Sequence, residues 1–391
     1  MLGVLSPSIL RPIAAWMAPP PTYYIDFLGA QTGGLTVTRA DATATYFGAD
    51  GLLATAAANV HRIDHDPLTM ARLGLLREPA RTNRALYARD LTNAAWVKTS
   101  TTADMDQIGL DGVADSASSL TATGDNGTAL QTVTVTSAER TLSLYLKRLV
   151  GTGTVEITID NGTTWTDVTS SLSSSAWARV DRTQTLANPV FGVRLGTSGD
   201  SVAVDFVQVE DGHCPTSPIA TTSASVQRNA DAIVLSGAPF NQVWNAAEGT
   251  ALVEWSMMDA PAASAFPPLL SFNDTGGNER INLFLSEASD GFFLGCVDGG
   301  AAQVTGMTVP GAAYDGTPQR IAGAWKLNTI RMAAMGTLSA LDTSATIPTV
   351  TQMQVGDQAS ALGPASTPVW FRRIAYWGVR LPDEVLVALT R

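Results

Sequence analysis

Charged side chains are scarce in this chain of 391 residues, because Asp, Glu, Lys and Arg together make up only 15% of it. Acids outnumber bases by 35 to 24, which gives a net charge of −11. A protein that binds nucleic acid through phosphates needs a basic surface, and no such surface is evident. The composition therefore disfavours nucleic acid as a partner, and it disfavours anionic membrane surfaces for the same reason.

Cysteine and histidine are also rare, with two and three copies. Cys214 and Cys296 have no metal-ligand spacing, and we expect two free thiols rather than a disulfide. With no histidine after residue 213, general-base chemistry by His is disfavoured.

One short cluster invites metal chemistry: His61, Asp64, His65 and Asp66 lie within six residues. Imidazole and carboxylate together can bind zinc or a harder ion. A metal site would need ligands from more than one segment, so we favour a structural role for this cluster.

Catalytic signatures are missing. The sequence contains no nucleophile elbow, P-loop or dinucleotide-binding fingerprint, and no Cys/His pair placed for catalysis. Glu254 is the one acid on a predicted strand in a suggestive setting, and Asp259 would lie on the opposite face of a regular strand. A retaining glycosidase needs two carboxylates about 5 Å apart. We therefore predict that the protein is not an enzyme.

Long apolar runs are absent too, since no window reaches 18 apolar residues, and we predict no membrane insertion. Residues 1–22 are apolar, but Arg11 interrupts the run and Pro7 and Pro12 break any helix, which disfavours a signal peptide. We interpret residues 1–22 as a docking arm on a neighbouring subunit or scaffold, with a disordered tail as the alternative.

Small and turn-forming residues are abundant, including 34 Gly and 20 Pro, and this favours short strands. The stretch 202–234 begins with the alternation of a half-buried strand and then breaks at Asp211-Gly212, Pro215 and Pro218. We interpret it as a seam: one β-domain closes near Glu210, and an extended connector crosses its surface to a second domain.

Evenly spaced apolar segments separated by turn residues predict an antiparallel sandwich, a jelly roll, before the seam. They are found at 130–135, 142–146, 155–159, 178–180, 191–195 and from Val202. After the seam, strand-like segments lead to a short helix that begins near Pro382, with Asp383 and Glu384 in its first turn. The predicted parts are an arm (1–22), a short-strand region (23–84), a sandwich with connector (85–228) and a second sandwich (229–391).

The seam resembles a tract of bacteriophage structural proteins, in which a carbohydrate-binding-module-like sandwich precedes a second domain. The matching residues are Gln208, Glu210, Gly212, Thr216, Ser217, Ile219, Thr221, Arg228 and Asp231. A second tract, at 39–53, 59–67 and 74–83, resembles the region before that sandwich in the same proteins. Past the seam, Ala324-Trp325, Asn328, Val355-Gly356 and the run 374–384 resemble concanavalin A-like and laminin-G-like sandwiches. The implied fold is all-β, with tandem antiparallel sandwiches, a jelly roll and then a concanavalin A-like domain.

The resemblance implies a virion structural protein, a tail or head fibre or spike on the surface of a phage-like particle. It would attach to other virion proteins through the N-terminal arm and recognise host cell-surface polysaccharide through its sandwiches. We expect a homo-oligomer, a trimer as in the resembling fibres, because weak sugar sites gain avidity in multiple copies. The alternative is structural decoration, or a minor tail or capsid protein, without glycan binding.

The predicted glycan contacts lie in two turns. The first has Trp165 with Asp160 and Asn161, and the second has Asn273, Asp274 and Asn278. Trp165 could instead pack over its own hairpin, whereas Trp96 and Trp177 are predicted to lie in the core. We expect no resident cofactor. Calcium is a weaker prediction, resting on turn carboxylates and amides at Asp125-Asn126, Asp160-Asn161, Asn273-Asp274 and Asp290.

Overall fold

The structure, a computed structural model, describes residues 18–29, 33–262, 266–286, 290–304, 307–358 and 367–391. It is all-β, as predicted, and it divides into two compact units. The middle unit consists of Ala40–Arg72 and Ala80–Ala230. The C-terminal unit takes the described residues of Met1–Arg39, Leu73–Pro79 and Asp231–Arg391. In the described part of the chain, no helix has the length and apolar character needed to cross a bilayer.

Strands up to the seam are β1 (Tyr23–Asp26), β2 (Thr36–Thr38), β3 (Thr45–Phe47), β4 (Leu53–Thr55), β5 (Ile63–His65), β6 (Arg72–Arg77), β7 (Arg81–Asn83), β8 (Val97–Thr99), β9 (Thr101–Gln107), β10 (Ala117–Ala122), β11 (Gly127–Thr132), β12 (Ala138–Val150), β13 (Val155–Thr158), β14 (Thr166–Asp167), β15 (Ala178–Leu186), β16 (Val190–Leu195), β17 (Ser201–Asp211) and β18 (Val226–Arg228). A 3₁₀ turn covers Thr169–Ser171.

Elements after the seam are β19 (Ala232–Ser236), helix α1 (Gly237–Asn241), β20 (Glu248–Ser256), β21 (Pro268–Asn273), β22 (Arg280–Ser286), β23 (Gly291–Asp298), β24 (Ala301–Ala302), β25 (Thr308–Pro310), β26 (Gln319–Lys326), β27 (Thr329–Ala334), β28 (Thr337–Leu338), β29 (Gln352–Val355), β30 (Val369–Trp377) and helix α2 (Asp383–Thr390).

The middle unit is a sandwich of two antiparallel sheets, ordered β15-β12-β17-β10-β9 and β14-β13-β16-β11-β8. Its core takes Leu142, Leu144 and Leu146 from alternate positions of β12, because side chains of a strand face opposite sides in turn. Trp96 is 2% exposed and packs edge-on against Phe191, with ring centroids 5.8 Å apart. The core position predicted for Trp96 is therefore confirmed.

The C-terminal unit is a second antiparallel sandwich. One sheet has the order β28-β27-β26-β20-β30, and β30 also pairs with β1 and β6. The other has the order β2-β19-β29-β21-β22-β23-β24, with β25 on β23. Helix α2 begins where the sequence predicts and buries Val385, Leu386 and Leu389 against the first sheet, next to Trp377.

The short-strand region predicted at 23–84 does not form a part of its own. Its first strand, β1, pairs with β30, and β2 pairs with β19, so both belong to the C-terminal unit. Residues 40–72 belong to the middle unit instead. The physical reason is that strands of three or four residues cannot close a core of their own, so β1 and β2 pair with the longer strands β30 and β19.

Most of the predicted docking arm, residues 1–17, lies outside the described residues. The described end of the arm packs on the C-terminal unit of its own chain. Trp377 Nε1 donates to the carbonyl oxygen of Pro19 at 2.7 Å, and the backbone N–H of Gly378 donates to Thr22 Oγ1 at 3.0 Å. Ala18 packs against the cluster under helix α2.

The connector after β17 is anchored by buried residues, although residues 222–225 are exposed, so the predicted surface crossing holds for only part of it. Ile219 is 0% exposed, and its N–H donates to Gln208 Oε1 at 2.7 Å. The buried carboxylate of Glu210 accepts hydrogen bonds from the N–H and the hydroxyl of Thr216. Arg228 in turn donates to that hydroxyl at 3.1 Å. Polar side chains of the resembling tract thus hold the connector inside the fold.

We predict that Thr216→Val destabilises the middle unit by about 1–3 kcal/mol, because valine keeps the shape but removes the hydroxyl that donates to Glu210 and accepts from Arg228. Urea unfolding of the full chain measures this. Thr216→Ser keeps the hydroxyl and should lose much less stability. A loss of stability in Thr216→Ser without a loss in Thr216→Val would mean that packing of the methyl group, rather than the hydrogen bonds, is what matters.

Candidate functional site

An open groove of about 480 Å³ lies on the middle unit. Five segments of that unit contribute to it: the β3–β4 loop, the turn after β5, the loop between β9 and β10, strand β12 and the residues before β15. The lining residues are Gly51, Leu52, Pro67, Leu68, Ile108, Gly109, Leu110, Gly112, Tyr145, Lys147, Ser175, Ala176 and Trp177. Ligand sites in proteins commonly span roughly 300–1,000 Å³, so the groove has the size of a small-molecule site.

Strand β12 supplies one wall of the groove. Because Leu144 and Leu146 face the core, Tyr145 and Lys147 face the opposite side of the sheet. Trp177, which precedes β15, packs at the edge of a small outer cluster that includes Tyr145. Trp177 is only partly buried and lies at the groove, so the prediction that it lies in the core is wrong. Lys147 Nζ lies 5.0 Å from the centre of the Trp177 ring, in cation–π geometry.

A β-bulge in β17, the strand paired with β12, supports this wall. Ser143 pairs with Gln208 and Tyr145 with Asp205, so β17 has one more residue than β12 over this span. The bulge residue Phe206 has φ +44°, which is strained for a large side chain and costs about 1–3 kcal/mol. As a result Phe206 joins the outer cluster with Tyr145, although strict alternation after Val204 would place it in the core.

The carboxylate of Asp205 fixes the loop that forms the adjacent wall. It accepts hydrogen bonds from Arg89 Nε at 2.8 Å and from the N–H of Leu110 at 2.9 Å. Arg89 also pairs with Asp111, with an Nη1–Oδ2 distance of 2.6 Å. Burial raises the pKa of Asp205, while the hydrogen bonds from Arg89 act against this rise. Two carboxylates and one guanidinium thus hold the 109–112 loop in place.

Gly109 is required in that loop because there is no room for a side chain. A Cβ atom there would lie 2.3 Å from Arg89 Nη2 and 2.8 Å from Asp205 Oδ2. Any larger residue would push the loop away from the ion pair and change the shape of the groove.

The cluster considered for metal binding builds the third wall. Asp66 accepts hydrogen bonds from the N–H groups of Leu68 and Thr69, at 2.9 and 2.7 Å, and so places Leu68 at the groove. Asp64 accepts from the N–H of Phe47 at 2.7 Å, and His65 Nδ1 lies 3.1 Å from the Phe47 carbonyl oxygen. Among the residues that the structure describes, no group of three or more His, Cys, Asp and Glu side chains is placed to hold a metal.

The predicted contacts at the first turn lie in the β13–β14 hairpin. Asp160 accepts from the N–H of Thr164 at 3.0 Å and forms an ion pair with Arg182. Asn161 is exposed at the tip with φ +60°. Trp165 packs over its own hairpin, and the guanidinium of Arg194 covers one ring face at 4.3 Å from the centroid. These groups are already engaged with the hairpin, and a role in binding stays a prediction.

The predicted contacts at the second turn are brought together but differ in access. Asn273 is 0% exposed and donates to Gln354 Oε1 at 2.7 Å, so it holds the sheet and cannot reach a ligand in this conformation. Asp274 accepts from the N–H groups of Gly276 and Gly277 and shapes the turn. Asn278 is exposed. Its role in binding is likewise still a prediction.

Glu254 is held in an ion-pair cluster. It lies 4% exposed on β20 and accepts from Arg320, Arg372 and Arg373 at 2.9–3.2 Å. Burial alone would raise the pKa of Glu254, but the charges of Arg320 and Arg373 outweigh it and lower the pKa. A general acid needs the opposite shift. Asp259 lies beyond the end of β20.

Both cysteines are buried and free, as expected from their spacing. Cys214 belongs to the middle unit and Cys296 to the C-terminal unit. Burial raises the pKa of Cys296 to about 12, so its thiolate is not populated near neutral pH. Cys296 is therefore unsuited to nucleophilic chemistry.

No protein-family model matches the chain, and no curated protein matches it. Solved structures give matches. The CBM40 module of Ruminococcus gnavus IT-sialidase bound to α2,3-sialyllactose matches with 17% identity and a TM-score of 0.33, over 39% of this chain and 88% of that one. Trypanosoma rangeli sialidase matches with 15% identity and a TM-score of 0.31, over 41% and 26%. Streptococcus pneumoniae NanB sialidase matches with 12% identity and a TM-score of 0.32, over 39% and 25%. Similarity at this level assigns neither a function nor a ligand to this chain.

The ion pair beside the groove predicts a pH dependence. Burial would raise the pKa of Asp111, but hydrogen bonds from Arg89 and Ser116 lower it from 3.8 to about 2. A lowered folded-state pKa means that the stabilisation is present above pH ~4 and is lost as the pH falls towards ~2. We expect Asp111→Asn to cost on the order of 1 kcal/mol near pH 6, after allowing for solvent screening, and almost nothing at about pH 2.

Urea unfolding of both proteins between about pH 6 and pH 2 measures this difference. Asp104→Asn is the matched control, because Asp104 is exposed on β9 and forms no ion pair among the described residues. A constant difference between Asp111→Asn and the unchanged chain over the whole pH range would contradict the proposed ion pair.

Proposed function

We propose that the protein is a non-catalytic glycan-binding protein and that the groove of the middle unit is its sugar site. The observation that carries this proposal is the partly exposed ring of Trp177 beside Tyr145 in a groove of about 480 Å³. Sugar rings present apolar C–H faces that pack on aromatic side chains, while their hydroxyl groups need polar partners. Lys147, Ser175 and the backbone of the 109–112 loop supply such partners at the groove.

The groove is preorganised for such a ligand. The bulge at Phe206 and the pairing of Asp205 with Arg89 hold two of its walls in place through buried contacts. A site that is formed before the ligand arrives loses little conformational entropy on binding. This supports binding rather than a purely decorative role for the sandwich.

A second candidate function is structural, as a virion component that docks another protein at the same place. It is favoured by the exposed apolar side chains of Leu52, Leu68 and Ile108 at the rim, which are 41%, 65% and 59% exposed. Exposed apolar patches commonly mark protein interaction sites. Glycan binding tests the two candidates against each other, because a structural component would bind no sugar.

We predict that Trp177→Ala weakens glycan binding by about tenfold or more, because the ring provides both buried area and stacking. The full chain is first screened on a glycan array, and the best ligand is then titrated by calorimetry. Trp165→Ala, in the same unit, is the matched control and should bind as the unchanged chain does. If Trp165→Ala loses binding while Trp177→Ala keeps it, the site is at the hairpin. Absence of any glycan ligand would favour the structural candidate.

We also propose that the protein is a fibre or spike component of a phage-like particle, a homo-oligomer and specifically a trimer. Support comes from the resembling tracts, whose residues have defined positions in the fold. Arg39 and Asp231, one from each tract, form a buried ion pair of 2.6 Å in the C-terminal unit. Asn83 donates to the carbonyl oxygens of Val207 and Ile219 in the middle unit, at 3.1 and 2.8 Å.

We predict that deleting residues 1–17 leaves a stable protein that still binds its glycan but no longer incorporates into particles. Deleting residues 1–22 should in addition lower the melting temperature, because Trp377 and Gly378 lose their partners Pro19 and Thr22. Immunoblots of purified particles measure incorporation, and thermal unfolding measures stability. Normal incorporation of the shorter deletion would place attachment elsewhere in the chain.

A further inference from the structure

The chain has three lysines, and Lys147, the one at the groove, differs from Lys98 and Lys326 in its contacts. Lys98 Nζ donates to backbone carbonyl oxygens, the nearest being that of Leu91 at 2.8 Å. Lys326 lies 3.8 Å from a carboxylate oxygen of Glu248. Among the residues that the structure describes, Lys147 alone has neither a carboxylate nor a hydrogen-bond acceptor at its ammonium group; its contact is the ring of Trp177.

The position of Lys147 makes this lack of an acceptor informative. Its side chain is partly buried and lines the groove beside Tyr145 and Trp177. An ammonium group has three N–H donors and no acceptor capacity, and at this open groove the donors of Lys147 are accessible to a ligand. The cation–π contact satisfies none of these donors. An anionic oxygen from a ligand would satisfy the donors.

The nearby acids do not provide that oxygen. Asp111, in the 109–112 loop, pairs with Arg89, and the buried Asp205 pairs with the same guanidinium. The chain as a whole has a net charge of −11, so it repels anions at long range. A local cation inside the groove is then the feature that admits a negatively charged ligand, over a range shorter than the Debye length of about 8 Å.

We propose that the groove selects acidic saccharides, sugars that carry a carboxylate, and that Lys147 is the residue that pairs with this carboxylate. The inference rests on the proposed glycan site and names its ligand class. The sugar ring and any acyl substituent lie against the apolar walls formed by Leu52, Leu68 and Ile108. The carboxylate meets the ammonium group of Lys147 above Trp177.

The test uses the full chain and three acidic probes: oligogalacturonate, hyaluronan oligosaccharides and oligomers of sialic acid. Each is compared with its own carboxyl methyl ester, which removes the charge and keeps the sugar. Calorimetry should show that at least one acidic probe binds and that its methyl ester binds about tenfold more weakly or worse, as expected for loss of a charge-assisted hydrogen bond. This comparison of acid with ester needs no variant protein.

Three variants locate the effect. Lys147→Met keeps an unbranched chain against Trp177 and should lose about tenfold in affinity for the acidic probe, whereas Lys147→Arg keeps the charge and should lose much less. Lys326→Met removes the same charge from the C-terminal unit, which controls for net charge, and should bind as the unchanged chain does.

The outcomes separate this inference from the function on which it rests. Equal binding of an acid and its ester, or full affinity of Lys147→Met, overturns the role of Lys147. Binding of neutral dextran or maltooligosaccharides that depends on Trp177, without binding of any acidic probe, overturns the acidic class and leaves the glycan site standing. Absence of binding to acidic and neutral probes alike overturns both.

Discussion

Buried polar groups along β17 are the constraint on which the middle unit depends. Asp205, Gln208 and Glu210 are each at most 1% exposed, and each would cost about 1–3 kcal/mol if left without a partner. Their partners come from outside the strand. Asp205 accepts hydrogen bonds from Arg89 and from the N–H of Leu110. Gln208 and Glu210 accept hydrogen bonds from the connector. One strand therefore determines both how the chain leaves the sandwich and where a groove wall stands.

The groove lies on the outer face of the sandwich, away from its packed core. The core faces of β12 and β17 are filled by apolar side chains, so chemistry is confined to the outer face and the loops that cover it. The bulge at Phe206 adds a residue to that outer face at the cost of a strained backbone. The strain is tolerated because Asp205 and Phe206 both gain buried contacts there.

Some residues of the resembling tracts act as supports, and others, such as Leu52 and Pro67, line the groove. Asp66 shapes the turn that carries Leu68, and Thr216 links Glu210 to Arg228. A weak sugar site on such a scaffold becomes useful when several copies act together, since linked sites can gain about 10² to 10⁴ in apparent affinity. That expectation connects the proposed groove with the proposed fibre or spike.

The sequence by itself determined the all-β class, the seam near Glu210, the strands around Leu144 and the start of helix α2, because period-two alternation and turn residues are local signals. It did not reveal β8 to β10, which are short or rich in polar residues. The outward pair Tyr145 and Lys147 was readable from the alternation in β12, but their meeting with Trp177 was not. Only the tertiary structure decided the groove, the burial of Asn273 and the pairing of β1 with β30. These features depend on contacts between residues far apart in sequence and on the bulge at Phe206, which changes the side of the sheet that the following side chains face. Neither leaves a periodic pattern in the sequence.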